Sequence, residues 1–384
     1  MKFLVLGAGL QGSAAAYHLL QHRQVEQVTL ADHHAGHLPA FLTGYGGRLR
    51  PIVLDARDRD AAAEAMLGHS AVLCALPYYF NEPMTRAALT ARCHFCDLGG
   101  NTDIVLLQRK LNAEATARGV SVIPDCGLAP GMVNILAAEG ICRLGDEARS
   151  VRIYVGGLPQ HPEPPLNYQV VYSLEGALDY YTTPSWVLRQ GKAMQVDALS
   201  EVETQPFPAP VGALEAFHTG GGISTLPFAY EGKLETMEYK TLRYPGHAAL
   251  MRAIRELGLL SDTPLPVRGH EVVPRDVFIA AVAPKLSKPG SPDLVALRVV
   301  VAGEGRGKPV TVRFELLDYY DAQRGISAMM RSTGFSLGLI ALLQADGTIR
   351  ATGVHTPDEA VPFKPYVEGL AEFGVNIVEV RGER

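Results

Sequence analysis

Six residues near the start, Gly7-Ala8-Gly9-Leu10-Gln11-Gly12, directly follow a short apolar run, and Asp32 stands 20 positions after Gly12. That spacing suits the binding of a dinucleotide. Gly7 permits a tight turn, Gly9 lets the backbone approach a pyrophosphate, and Gly12 lets a helix pack closely on a strand. Leu10 and Gln11 open the helix whose N-terminus would hold the phosphates. Asp32, at the end of the next strand, would accept hydrogen bonds from the adenosine ribose hydroxyls and repel a 2′-phosphate. His33 and His34 follow it with no adjacent arginine to neutralise such a phosphate, so the expected cofactor is NAD. Asp55 ends the third strand, where it reads as an adenine contact or as a cap for the helix after it.

Such a loop works only when strands and helices hold it at the rim of a sheet. Along the first third, apolar runs such as "KFLVL", "QVTLAD", "AVLCALP" and "VSVIPD" alternate with amphipathic stretches. The runs have no polar face, so helices should cover both sides of the sheet, as in a parallel sheet. From Arg149 the texture changes to β-rich segments, several of them alternating, separated by proline-rich turns such as "LPQHPEPPL". The expected fold is α/β: a Rossmann-type doubly wound parallel sheet over residues 1–125, then a second α+β, sheet-rich domain over 126–325. An apolar helix predicted near 326–345 is expected to complete the first domain, and residues 346–384 to pack back on it. Ligands of such sheets lie beyond the carboxyl ends of the strands. Leu76, Pro77 and Tyr78 after strand four, and Gly99, Gly100 and Asn101 after strand five, are the expected neighbours of a nicotinamide ring.

Other chemistries find less support. Cys93, His94 and Cys96 invite a zinc or thiol reading, but they run from a helix end into a strand that turns the two sulfurs apart. No second ligand pair stands at metal spacing either. Cys126 has no histidine at a diagnostic spacing, and five cysteines in 384 residues are too few for a disulfide framework. A net charge of -5 with no basic run speaks against nucleic acid as a partner. No apolar stretch is long enough to span a bilayer, and the first strand, starting at Lys2, leaves no room for a signal peptide, so a cytoplasmic protein without membrane contact is expected.

The stretch "VSVIPDCGLAPGMVNILAAEGI", together with "IYVGGLPQHPEPPLNYQVVYSLEG", "EAFHTGGGISTL" and "KTLRYPGHAAL", resembles the saccharopine dehydrogenase superfamily, and within it the lysine 6-dehydrogenases. The likeness covers nearly the whole chain in the same order. It implies a Rossmann domain followed by a sheet-rich domain that binds substrate and mediates self-association, hence a homo-oligomer. Residues 126–131 would mark the crossing between them, with the active site beside it. Saccharopine reductases typically carry an aspartate after Gly-Leu and an Asp-His pair after Pro-Gly-x, where this chain has Ala129 and Val133-Asn134. They also tend to carry an arginine where this chain has Glu175. An acidic residue there suits a substrate richer in ammonium than in carboxylate.

The reaction implied by the resemblance is NAD-dependent oxidation of the ε-carbon of L-lysine, an amino acid substrate, with release of ammonia and cyclisation of the semialdehyde to Δ1-piperideine-6-carboxylate. Arg243 is the expected clamp for the α-carboxylate, since a guanidinium matches a carboxylate in a fork. Glu175 is the expected partner of an ammonium group. His247 is the expected base for the ε-amine, with Tyr78 and Asp103 as the next candidates. The alternatives are a dehydrogenase acting on saccharopine, a carboxynorspermidine-type reductase, and a non-catalytic NAD-binding protein.

Overall fold

The computed structural model describes residues 1–34 and 38–383. Six of the seven strands of the first sheet come from the first third of the chain: β1 (Lys2–Leu6), β2 (Gln27–Asp32), β3 (Leu49–Val53), β4 (Ala71–Cys74), β5 (His94–Asp97) and β6 (Ser121–Ile123). They alternate with helices α1 (Leu10–Leu20), α2 (Arg59–Met66), α3 (Asn81–Ala91), α4 (Thr102–Arg109) and α5 (Asn112–Arg118). Across the sheet the order is β3, β2, β1, β4, β5, β6 and then the short strand Gly353–Val354, every neighbouring pair parallel. Every residue of β4 and β6 is buried, which is what apolar runs covered on both faces require. Strand order reverses at β1, so the crevice beyond its carboxyl end is where a ligand fits. A Cβ at residue 12 would lie 1.8 Å from the Gly7 carbonyl oxygen, so close approach of α1 to β1 requires the glycine there. Cys93 and Cys96 sit in separate apolar clusters, their sulfurs turned to the carbonyls of Met66 and Val72 respectively.

The chain leaves the first sheet at Asp125, makes a tight loop through Gly131, and enters helix α6 (Met132–Leu144) and strand β7 (Ala148–Pro159). β7 lies inside a nine-stranded mixed sheet. Its neighbours are Thr236–Arg243, paired parallel, and Asp293–Gly305, paired antiparallel. Ala213–His218 and Glu203–Pro206 extend one side, Lys308–Tyr319 and Val378–Glu383 the other, and the hairpin of Ser185–Arg189 and Lys192–Val196 joins Thr236–Arg243. Helix α6 packs on this second sheet. One apolar cluster runs unbroken from Leu19 and Ile123 through Leu136 to Val299 and Phe314, so the two sheets share a core.

The apolar stretch after residue 326 returns to the first sheet. A π-helical turn, Met330–Gly334, leads into the helix Phe335–Ala345, which packs on α1, β4 and β5. The Gln344 amide donates to the carbonyls of Phe95 and Ser121, and the Ser336 hydroxyl to that of Gly127. Residues beyond 346 divide between the two sheets: Gly353–Val354 extends β6, whereas Val378–Glu383 covers the edge of Lys308–Tyr319, where unpaired backbone groups would otherwise face outward. Among the described residues no helix is long and apolar enough to cross a membrane.

The returning helix touches α1 without slack. A Cβ on Gly334 would lie 2.5 Å from the Ala14 methyl and 2.7 Å from the Gln11 carbonyl. Gly334→Val should therefore push the helix off α1, lower stability by roughly 1–3 kcal/mol and weaken dinucleotide binding by shifting the start of α1. A thermal midpoint equal to that of the unsubstituted protein would show that this contact does not matter.

Candidate active site

At the carboxyl end of β2, Asp32 turns back toward the glycine loop. Its Oδ2 accepts the Ala8 N–H at 2.7 Å, and its Oδ1 meets the His34 N–H at 3.2 Å and the His33 ring at 2.9 Å. Burial pushes this carboxyl up, but the two N–H groups and His33 outweigh it and hold the group below its ordinary range, so it is a carboxylate at neutral pH. Gly9 begins α1 with no side-chain cap, leaving the first N–H groups of the helix free for an anion. Leu10 is half-exposed, and the Gln11 amide is buried with neither polar atom partnered among the described residues. An exposed uncapped helix start, an orphaned amide and a carboxylate one strand away fit a nicotinamide dinucleotide. Leu76 lies against Gly7, and Pro77 is exposed beside it. Asp55 is engaged by Arg57 at 2.6 Å, and that guanidinium holds its carboxyl down to about 2. It does not cap α2: Asp58 does, accepting the Ala61 N–H.

Across the cleft, the strand Thr236–Arg243 ends in a buried guanidinium. The residue opposite Arg243 in register, Glu215, gives its carboxylate to the N–H groups of Gly246 and Ala248 at the start of helix His247–Glu256. Arg243 is left to donate from Nε to the Tyr181 hydroxyl at 3.2 Å and from Nη1 to the Leu242 carbonyl, with its plane over the Tyr168 ring at 4.7 Å. Four cationic side chains are buried among the described residues. Lys240 pairs with Glu203, Arg275 with Asp179 and Arg331 with Asp318; Arg243 has no carboxylate partner among those residues.

His247 is 2% exposed, and both of its ring nitrogens are engaged. Because Tyr181 accepts from Arg243, its hydroxyl proton points to His247 Nε2 at 3.0 Å, which leaves Nδ1–H to donate to the Leu166 carbonyl at 2.9 Å. Burial, and then the Arg243 charge, hold this imidazole down to about 3, so it is neutral throughout the ordinary range. With both nitrogens engaged, it can act on a substrate only through the Tyr181 hydroxyl.

Tyr78 lies in the short turn after β4, half-buried; burial raises its phenol, as does the Asp179 carboxylate from across the cleft. Asp103 is exposed in the first turn of α4, which Asn101 caps. Glu175 is exposed in the first turn of helix Leu174–Thr182, with its carbonyl, not its carboxylate, bound by Arg275. A single group among the described residues, Glu201, His218 and Glu238, has metal-ligand geometry, and Arg189 already lies within 2.9 Å of both carboxylates.

The sequence reading passed over several residues. Tyr168, Tyr172 and Tyr181 surround Arg243, and Tyr172 leads to Tyr180 with ring centroids 6.5 Å apart. Asp97, the last residue of β5, and Asp125, two residues beyond β6, are both buried. The run Gly220-Gly221-Gly222 passes so near the tyrosines that a Cβ on Gly222 would enter the Tyr239 ring. Three consecutive glycines and an aspartate before the Cys126 loop were the available signals.

Residues 3–123 match the saccharopine dehydrogenase NADP binding domain, and residues 127–375 match the saccharopine dehydrogenase C-terminal domain. The chain belongs to the saccharopine dehydrogenase family. Within that family it is 21% identical to saccharopine dehydrogenase [NADP(+), L-glutamate-forming] of Schizosaccharomyces pombe, over 98% of each chain. It is 23% identical to the mitochondrial alpha-aminoadipic semialdehyde synthase of Mus musculus, over 97% of this chain but 47% of that protein, so it spans about half of the latter. In fold it matches the apo L-Glu-forming saccharopine dehydrogenase of Saccharomyces cerevisiae (TM-score 0.81, 20% identity, 99% of each chain). It also matches the homospermidine synthase of Legionella pneumophila in complex with NAD (TM-score 0.71, 11% identity, 100% of this chain and 92% of that one).

A histidine kept neutral by the fold carries a pH signature. The unfolded chain binds a proton at His247 near pH 6.5 and the folded chain only near 3, so its contribution is present above about 6.5 and is lost as pH falls through that window. His18 acts in the same direction, so the comparison must be with a variant. His247→Gln should show a shallower fall in thermal midpoint between neutral and acid pH; parallel curves would remove His247 from this account.

Proposed function

We propose that the protein is an NAD-dependent dehydrogenase that oxidises the ε-carbon of L-lysine, releasing ammonia and the semialdehyde that cyclises to Δ1-piperideine-6-carboxylate. The observation that carries the choice of substrate is Arg243, the buried cation without an acid among the described residues. One such cation answers one α-carboxylate. Saccharopine carries further carboxylates, and the other buried cations are already paired.

Arg243 holds the carboxylate, and its remaining bonds to Tyr181 and Leu242 fix the direction of the fork. His247 keeps Tyr181 in place and is a positioning residue, not the base. Glu175, exposed at the start of its helix, attracts a cationic substrate at the surface. Tyr78, which follows Leu76 and Pro77 in the turn after β4, would face the nicotinamide ring. Bound NAD supplies the hydride acceptor. The Asp32 carboxylate selects against a 2′-phosphate by repulsion.

The reading is tested with purified protein, NAD or NADP, and a panel of lysine, ornithine, saccharopine and glutamate. Lysine should be oxidised with ammonia as product; glutamate released from saccharopine would place the activity with that substrate instead. NAD should be preferred, and Asp32→Ala should narrow the preference; equal efficiency with both cofactors in the unsubstituted protein would defeat the role given to Asp32. Arg243→Met should raise the KM for lysine roughly tenfold to a hundredfold, and an unchanged KM would move the carboxylate elsewhere.

A further inference from the structure

Asp125 stands two residues beyond β6 and is fully buried, yet neither oxygen of its carboxyl group completes a hydrogen bond of ordinary geometry among the described residues. Its backbone is left-handed, with φ at 63°, a conformation that costs about 1 kcal/mol or more outside glycine. Asp97 holds it there: its carboxylate accepts the Asp125 N–H at 3.3 Å, and its carbonyl accepts the Cys126 N–H at 2.7 Å. The side chain is thereby aimed at Gly99, where a Cβ would stand 1.7 Å from Asp125 Oδ1. The nearest polar groups are the Gly100 N–H and the Ser224 hydroxyl, itself buried and unpartnered among the described residues. Asn134 places Ser224 there by donating to the Ile223 carbonyl at 3.2 Å.

The charged groups acting on Asp125 are Asp97 and Asp358, both acids; Tyr180 and Cys126 are the other titratable neighbours. A buried carboxyl with two further acids near it, whose oxygens complete no hydrogen bond of ordinary geometry, attracts a positive charge. From Asp125 the line of groups runs through Tyr180 and Tyr172 to Arg243, an acid at one end and a guanidinium at the other. β6 also lies three strands from β1, about 14 Å on the side away from Asp32. The nicotinamide half of a dinucleotide held by the glycine loop would extend that way.

We propose that Asp125 takes the proton from the reacting ammonium of the substrate. This rests on the reading of the protein as an amine-oxidising dehydrogenase. The ammonium gives a proton to the Asp125 carboxylate, and the nitrogen lone pair so freed forms the C=N bond as the neighbouring carbon gives up hydride to NAD. Water then adds to that carbon, the C–N bond breaks, and aldehyde and ammonium ion leave. Burial, and the acids nearby, push the Asp125 carboxyl up to about 8 despite Ser224, so the carboxylate that accepts the proton becomes more populated as pH rises toward that value.

Asp125→Asn in the full chain keeps the shape and removes the acceptor. Lysine turnover should fall about a hundredfold or more with NAD binding, measured by calorimetry, unchanged. A second measurement needs no substrate. The unfolded carboxyl ionises near 3.9 and the folded one near 8, so this group costs the folded state stability as pH rises through that window. The thermal midpoint of Asp125→Asn should therefore gain on the unsubstituted protein between about pH 5 and about pH 8. A variant that oxidises lysine within about threefold of the unsubstituted protein, or a midpoint difference independent of pH, overturns the proposal. If saccharopine is oxidised and lysine is not, the choice of substrate fails and the same comparison on saccharopine judges Asp125. A protein inert to every amine overturns both.

Discussion

A guanidinium taken out of water must be answered by some other charge or dipole, and at Arg243 the answer within the chain is incomplete. Removing an ion from water costs several kcal/mol. Here it is offset by a phenol oxygen, a carbonyl and the face of an aromatic ring. The acid that register sets opposite it is spent on the N–H groups opening the next helix. Arg243 ties the end of its strand to the helix carrying Tyr181, and Tyr181 in turn meets His247 at the start of the next helix. A substrate carboxylate would complete what they leave unfinished.

The cleft exists because neither sheet closes its own core. Helix α6 leaves the first sheet and packs on the second, while Phe335–Ala345 leaves the second and packs on the first. Each crossing carries polar ties as well as apolar surface: Ser336 to Gly127, Gln344 to Phe95 and Ser121, Asn134 to Ile223. Loops from both units therefore meet at the carboxyl ends of β5 and β6. Glycine is needed there at residues 99 and 222 because an acid and a tyrosine ring occupy the space a side chain would take.

Asn134, at the start of α6, uses both ends of its amide: its oxygen accepts the Gly131 N–H, and its nitrogen donates to the Ile223 carbonyl. One neutral side chain thus ties the crossing loop to the glycine-rich loop of the second domain.

The glycine loop and Asp32 were legible in the sequence because dinucleotide binding depends on local backbone geometry: a turn, a helix start and an acid one strand later all lie within about thirty residues of each other. The parallel sheet was legible for a related reason, since apolar runs without a polar face admit few arrangements. Arg243 was legible as a residue type suited to carboxylates, but its lack of a partner was not, because Glu215 is committed only once two strands and a helix have met. His247 shows the converse. Its residue type suggested a base, and only the packing of Tyr181 and Leu166 on its two nitrogens decided that it is neutral and occupied. Asp125 drew no notice as one aspartate before a loop. Its burial, its free oxygens and its acidic neighbours come from β5, the glycine-rich loop and the helix Pro357–Ala360, segments that meet only when the chain folds, and electrostatics depends on distance in space rather than along the chain.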